Sequence, residues 1–281
     1  MMIASRGNMD MSKICSRLGH EKVIFLDFET AKIVDNEPGI PIQIGLLLCS
    51  NFGKNSYRVA QYVHQKTYEP EGDIITTASP SGEIRISIAD LTGITSEHLR
   101  GEEWAEQRTT EEKIVKAMHL TDSLIVGYNI PYDIRVLKQA YHRQGVPFPK
   151  IEMCDIMSIY VDLFGAEPGV LKKRWLYPNG KCYYTGYRLI DAAHYLGVAL
   201  PEEKQAHSAL EDVDLSVLVL AKMMKKFPDL DFSKYCNKIY ENPAYVVPDW
   251  QKLLDEGMKY YPFGTATGEP RVNERFTLYN K

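Results

Sequence analysis

The stretch "VIFLDFET", residues 23–30, constrains this chain more than any other. Val23, Ile24, Phe25 and Leu26 form an unbroken apolar run, the pattern of a strand buried on both faces. Two carboxylates follow, Asp27 and Glu29, with only Phe28 between them. Side chains two apart on a strand share a face, so both acids project to one side. Like charges that close repel, and one is pushed towards protonation unless a cation lies between them. Taken alone, so short a motif reads better as a strand end emerging into water with both acids hydrated.

At 281 residues the chain has room for one large domain, or one domain with appendages. Its 44% hydrophobic and 25% charged residues place it with globular rather than disordered or fibrous chains. No apolar run approaches the ~18 residues of a membrane span, so no membrane partner is expected. The opening "MMIASRGNMDMSKICSRLGHEK" lacks the continuous apolar core of a secretory signal. Residues 1–21 read as a flexible lead-in, with Met9 and Met11 as alternative starts and Arg6, Lys13 and Arg17 compatible with a short targeting segment. The cysteines, Cys15, Cys49, Cys154, Cys182 and Cys236, are odd in number and widely spaced, with no C-x-x-C pair. That argues against a disulfide framework or a structural zinc site and for a reducing, intracellular setting, taken as cytoplasmic. The formal net charge of -4 gives no global basic footprint. An acidic metal site lowers net charge by its own presence, and one local basic patch suffices to hold a strand.

Residues 22–28, 41–50 and 56–66 read as three early strands, and 67–86 as irregular. Thr109 and Glu112 form a capping box that opens a helix. "SLIVGYN" is a short apolar strand, and a helix follows from the N-cap Asn129, with Pro131 in its first turn and Gly145 at its end. "EMCDIMSIYVDLFG" gives a strand and then a helix capped by Asp155. "GYRLIDAAHYLGV" is a further helix closed by Gly197, and "HSALEDVDLSVLVLAKMMKKF" a long amphipathic one ended by Pro228. Strands come early and helices late, with a β-α-β-α passage between them, so the class is α/β or α+β with a mixed sheet.

Three further residues join the paired acids. Asp133 lies one turn beyond Asn129, at the positively polarised end of a helix, and alone would be a helix-dipole acid. His207 precedes the last long helix and Asp212 lies early in it, with Glu211 and Asp214 on either side. Together they give four carboxylates and one imidazole at predicted element ends. Mg2+ and Mn2+ prefer oxygen ligands. Two such ions about 4 Å apart clamp both the attacking and the leaving oxygen of a phosphodiester. An imidazole titrating near neutrality takes the proton from an attacking water.

In motif order and spacing the chain resembles the DEDDh exonucleases, the DnaQ-like 3'-5' exonucleases of the ribonuclease-H-like superfamily. "FLDFET" matches the first motif, "GYNIPYDIRVL" the second and "HSALEDV" the third, and "IQIG", "LTGIT" and "RLIDAAHYLGV" are weaker echoes. The likeness spans about residues 22–226. It implies a ribonuclease-H-like mixed sheet of five strands flanked by helices, with an exonuclease domain over 22–228 and an extension over 229–281. It also implies two divalent cations, Mg2+ or Mn2+. Asp27, Glu29 and Asp212 would bind the tighter one, Asp27 would bridge to the second, and Asp133 would act on the second largely through water. His207 would be the general base. Phe28 and Thr30 would meet the terminal nucleotide mainly through their backbone, and Asn129 and Tyr132 would line the cleft. The reaction implied is release of nucleoside 5'-monophosphates from single-stranded 3' ends, DNA ahead of RNA. Alternatives are an RNA 3' exonuclease of the same family, or a non-catalytic nucleic-acid- or polymerase-binding module on the same fold.

The chain departs from that family in several places. Gln43 stands where many relatives carry a glutamate, and Tyr128 where histidine is frequent. Residues 165–188 form an insertion in which Lys172, Lys173, Arg174, Lys181 and Arg188 interleave with Trp175, Tyr177, Tyr183, Tyr184 and Tyr187. Asn179-Gly180 predicts a hairpin there. Two readings stand: a cradle for single-stranded nucleic acid, charge along phosphates and rings on bases, or a hairpin whose rings pack inward. The extension 229–281 is too aromatic for simple disorder and reads as packing on the core or on a polymerase or repair partner. The remaining histidines, among them His64, His98, His119, His142 and His194, read as structural or surface groups.

Overall fold

Strand alternation sorts the molecule into layers. The computed structural model describes residues 10–239 apart from 33–37, 52–55, 80–81, 120–121, 166, 168–169, 176–181 and 200–207. In chain order its elements are α1 (Met11–Leu18), β1 (Lys22–Thr30), β2 (Pro41–Ser50), β3 (Tyr57–Val63), β4 (Ile74–Ser79), β5 (Gly82–Ser87), α2 (Ile88–Thr92), α3 (Ser96–Arg100), β6 (Arg108–Thr109), α4 (Glu111–His119), β7 (Leu124–Gly127), α5 (Ile130–Arg143), β8 (Ile151–Asp155), α6 (Ile156–Phe164), β9 (Lys172–Trp175), β10 (Cys182–Thr185), α7 (Leu189–Tyr195), α8 (Ala209–Lys226) and β11 (Cys236–Ile239).

The central sheet has seven strands in the order β11-β8-β7-β1-β2-β3-β6. β1 runs antiparallel to β2 and parallel to β7, so the sheet is mixed. Val23 and Phe25 of β1 pack into a core with Leu18, Phe164 and Leu220, from α1, α6 and α8. Ile24, Leu26 and Phe28 pack on the opposite face with Val115, Ile134 and Leu137, from α4 and α5. Period-two alternation then assigns Asp27 and Glu29 to the face that α8 covers. Burying both faces explains the unbroken apolar run: each such side chain contributes roughly 2 kcal/mol relative to an exposed one.

The mixed α/β sheet of the expected fold is present, and several expected details differ. The five expected strands are β8, β7, β1, β2 and β3, and two short strands, β6 and β11, extend the edges. β6 has two residues, too few to leave a periodic pattern. The flexible lead-in gives way, from Met11 to Leu18, to a helix. Asp10 caps it, Gly19 closes it in the left-handed region, and Ile14, Cys15 and Leu18 are buried. That i, i+3, i+4, i+7 apolar spacing is the signature of a docked helix. Residues 1–9 lie outside the described residues. The irregular stretch 67–86 contains the antiparallel pair β4–β5. Thr109 sits in a strand, and its neighbour Thr110 caps α4, accepting from Lys113 N–H at 3.3 Å. In the insertion, β9 and β10 pair antiparallel with Trp175 opposite Cys182, and the turn between them lies outside the described residues. Beyond residue 228, Phe232 is buried and β11 pairs with β8, while 240–281 lie outside the described residues. Among the described residues no helix is long and apolar enough to cross a membrane.

Candidate active site

The site forms where the end of β1 meets the starts of two helices. Across the β1–β2 ladder Asp27 stands opposite Gly45, and Glu29 opposite Gln43. A Cβ placed on Gly45 would lie 2.4 Å from the Ala209 carbonyl carbon and 2.6 Å from Leu210 N. Only glycine therefore lets the first turn of α8 rest directly on the β2 backbone. Asp212 lies in that first turn, acidic with Glu211. It completes a cluster: one carboxylate oxygen each from Asp27, Glu29 and Asp212 lie within 4.8 Å of one another.

The start of α8 is held by a residue outside the helix. Its N-cap, Ser208, makes no side-chain cap bond. Instead the Ala209 N–H donates to Oε1 of Gln43, at 3.0 Å, and Gln43 is buried. A helix leaves its first amides without internal partners, and a buried one left unpaired is costly.

Asp133 arrives on α5 and is 4% exposed. Its Oδ1 accepts the Phe28 N–H at 2.8 Å, which fixes the strand between the two paired acids. The helix start differs from the sequence expectation. Asn129 occupies the N-cap position in the left-handed region, φ 59°, and makes no side-chain cap bond. Asparagine tolerates that region better than most residues. The buried Asp155, at the end of β8, takes over the cap. Its Oδ1 accepts the Ile130 N–H at 3.3 Å and its Oδ2 the Ser158 N–H at 3.1 Å, so one carboxylate serves α5 and α6.

The charges are unbalanced. Burial pushes the Asp27 carboxyl well above its usual range, and Asp133, Asp212 and Glu29 add repulsion in that order. Burial does the same to Asp133, where the Phe28 N–H pulls back and Glu29 and Asp155 push up again. Burial also raises Asp155, to about 6. An all-oxygen donor set with excess negative charge suits a hard divalent cation such as Mg2+ or Mn2+. The donors therefore fit the expected metal.

The other expected site residues are placed as follows. Phe28 is buried on the opposite face of β1, and its N–H is engaged by Asp133. Thr30 and Tyr132 join through their hydroxyls at 2.7 Å, linking the end of β1 to α5. Asn129 is exposed at the start of α5. His207 lies outside the described residues. The Tyr128 hydroxyl donates to the Tyr187 carbonyl, tying the base of the inserted hairpin to the residue before Asn129. His64 and His98 hydrogen-bond locally, to the Leu99 carbonyl and to Thr95. Sequence reasoning missed Gly45, Gln43 and Asp155 as parts of the site. "IQIG" was visible only as a family echo, and nothing local says that a strand glycine faces a helix.

The "Exonuclease" family model, RNase_T, matches residues 24–220. The chain belongs to this exonuclease family, of DEDDh, DnaQ-like type. The chain is 20% identical over 238 residues to the 3'-5' exonuclease DinG of Bacillus subtilis (strain 168), a match covering 85% of this chain and 21% of that protein. It thus spans about a fifth of that relative's length. A solved structure of a full-length 3'-exonuclease matches 81% of this chain and 93% of its own, at 13% identity and a TM-score of 0.46.

Proposed function

We propose that the chain is a divalent-metal-dependent 3'-5' exonuclease that removes nucleoside 5'-monophosphates from single-stranded 3' ends, DNA ahead of RNA. The observation that carries this reading is the convergence of Asp27, Glu29 and Asp212 within 4.8 Å, from a strand and a helix far apart in sequence. Two divalent cations held by these acids would supply Lewis-acid stabilisation of the attacking and leaving phosphodiester oxygens. Asp27, Glu29 and Asp212 would be the main residues holding them, with Asp133 assisting through water.

The chain's own residues do the rest. Asp133, bonded to the Phe28 N–H, keeps the strand backbone in place where the terminal nucleotide is to lie. Phe28 and Thr30 offer that nucleotide their backbone, and the Thr30–Tyr132 hydroxyl pair holds one wall of the cleft beside Asn129. His207 accepts the proton of the attacking water, so activity rises with pH through the imidazole range. The paired strands β9 and β10 carry Lys172, Lys173, Arg174, Trp175, Tyr183 and Tyr184, a composition suited to an unpaired strand. Residues 229–281 are the proposed docking segment for a polymerase or repair partner.

Two 5'-labelled oligonucleotides of one sequence, DNA and RNA, test the reading with Mg2+, Mn2+ or EDTA beside the Asp212→Asn protein. A metal-dependent ladder shrinking from the 3' end, absent with the variant, is expected, and the faster strand names the substrate. Folded, metal-loaded protein that gives no ladder overturns the reading.

A further inference from the structure

We infer that Gln43 is a positioning residue of the acidic site, setting through α8 where Asp212 meets Asp27 and Glu29. Use of the site rests on the exonuclease reading above; the placement rests on the hydrogen bond and the packing. Gln43 sits on the strand next to β1 and directly opposite Glu29 in the ladder. Its side-chain oxygen reaches the first amide of α8, which the helix's own N-cap residue does not serve. Two residues along the same strand, Gly45 lets the helix backbone touch the sheet. The glycine fixes how close α8 comes, and the glutamine fixes which turn of α8 lies there. Asp212 is three residues beyond Ala209, about one turn on and on the same side of the helix.

The chemistry of the side chain matters as well as its length. An amide supplies the acceptor without adding another negative charge beside Asp27, Glu29, Asp133 and Asp212. Glutamate has the same reach and the same acceptor oxygen. Methionine has the reach and only a weak acceptor. If Gln43 acts by positioning, cation affinity follows the acceptor and not the charge.

The test uses the full chain as wild type, Gln43→Met and Gln43→Glu. Mn2+ affinity is measured by calorimetry without substrate, and amide hydrogen exchange is followed over the first turn of α8. Gln43→Met is expected to weaken Mn2+ binding at least about tenfold, the scale of losing a partner that orients a metal ligand, and to speed exchange at Ala209. Gln43→Glu is expected to bind Mn2+ at least as tightly as wild type and to keep Ala209 protected. A folded Gln43→Met protein with wild-type affinity overturns the inference, as does a Gln43→Glu protein as weak as Gln43→Met. If Gln43→Met does not fold, Gln43→Asn, one methylene too short to reach, takes its place under the same criteria. Wild-type protein that binds no Mn2+ overturns the metal-site reading itself, an outcome distinct from an unchanged variant.

Discussion

Two helices each bring one acid to the end of β1, and they are held in different ways. α5 delivers Asp133, whose carboxylate is itself tied to the Phe28 amide. Its start is capped by Asp155, an ionisable group that burial drives upward to about 6. α8 delivers Asp212, and its start is capped by the neutral Gln43 and pressed onto Gly45. In neither case does the residue at the N-cap position supply the side-chain bond. Both caps come from strands of the central sheet, so the sheet dictates where each acid stands. Asp133 has a bond to the strand at the Phe28 amide, and the approach of Asp212 to Asp27 and Glu29 varies with the register of α8.

That contrast predicts graded effects. Asp27→Asn and Asp212→Asn remove the charge of a proposed metal ligand and should lower hydrolysis by about 10³-fold, the upper scale for losing one preorganised electrostatic partner. Thermal melting in EDTA should hold or rise for Asp27→Asn, because a buried carboxyl among like charges is lost. Retained turnover in either variant would remove the acidic cluster from the chemistry. Gly45→Ala leaves every acid in place and moves α8, since its Cβ would overlap the Ala209 backbone. Displacement of about 1 Å at Asp212 should cost on the order of 10²-fold in rate, and overpacking about 1–3 kcal/mol in stability. The matching change at the other helix, Asp155→Ala, should cost about 1–3 kcal/mol through unpaired helix amides. It should spare more of the rate than Gly45→Ala, because the Phe28 amide still holds Asp133. Equal loss of rate in the two variants would erase the distinction between the helix starts.

Much of this was legible in the sequence. The Val23–Leu26 run, the period-two spacing of Asp27 and Glu29 and the helix starts before Asp133 and Asp212 all follow from local patterns. Pairing and close approach do not. Asn129 reads as an N-cap by residue type, yet its backbone turns left-handed and Asp155 takes the capping role, because tertiary neighbours supply a better acceptor. Gly45 reads as a weak spot in a strand, and only the packing of α8 shows why it must be glycine. α1 reads locally as a tail although Ile14, Cys15 and Leu18 carry helical spacing, because the terminal segment around them is rich in polar residues. The two-residue β6 has no sequence signature at all; it exists because the β3 edge offers it a ladder.

The smallest effect separates the charged cap from the neutral one. Burial pushes the folded Asp155 carboxyl up to about 6, against an ordinary value of 3.8. Between those values the folded chain keeps a proton that the unfolded chain has lost. Stability therefore falls as pH rises from about 4 to about 6 and levels off above. Asp155→Asn keeps one acceptor oxygen, for either the Ile130 or the Ser158 amide, and cannot ionise, so it lowers stability by a pH-independent amount and removes this part of the slope. Asp27 and Asp133 are also raised, and in EDTA their slopes have the same sign. The Asp27 slope is common to both proteins and cancels in the difference, while Asp133 loses the repulsion of Asp155 in the variant, which adds to the difference with the same sign. The difference between the denaturation midpoints of wild type and Asp155→Asn, taken in EDTA at several values between pH 4 and 7, should shift in favour of the variant as pH rises from about 4 to about 6 and level off above. Gln43→Glu places a carboxyl at the other cap and should introduce a pH dependence there that the wild-type amide lacks. Parallel curves for Asp155→Asn and wild type would mean that Asp155 carries the same charge folded and unfolded, and the two helix starts would then differ only in geometry.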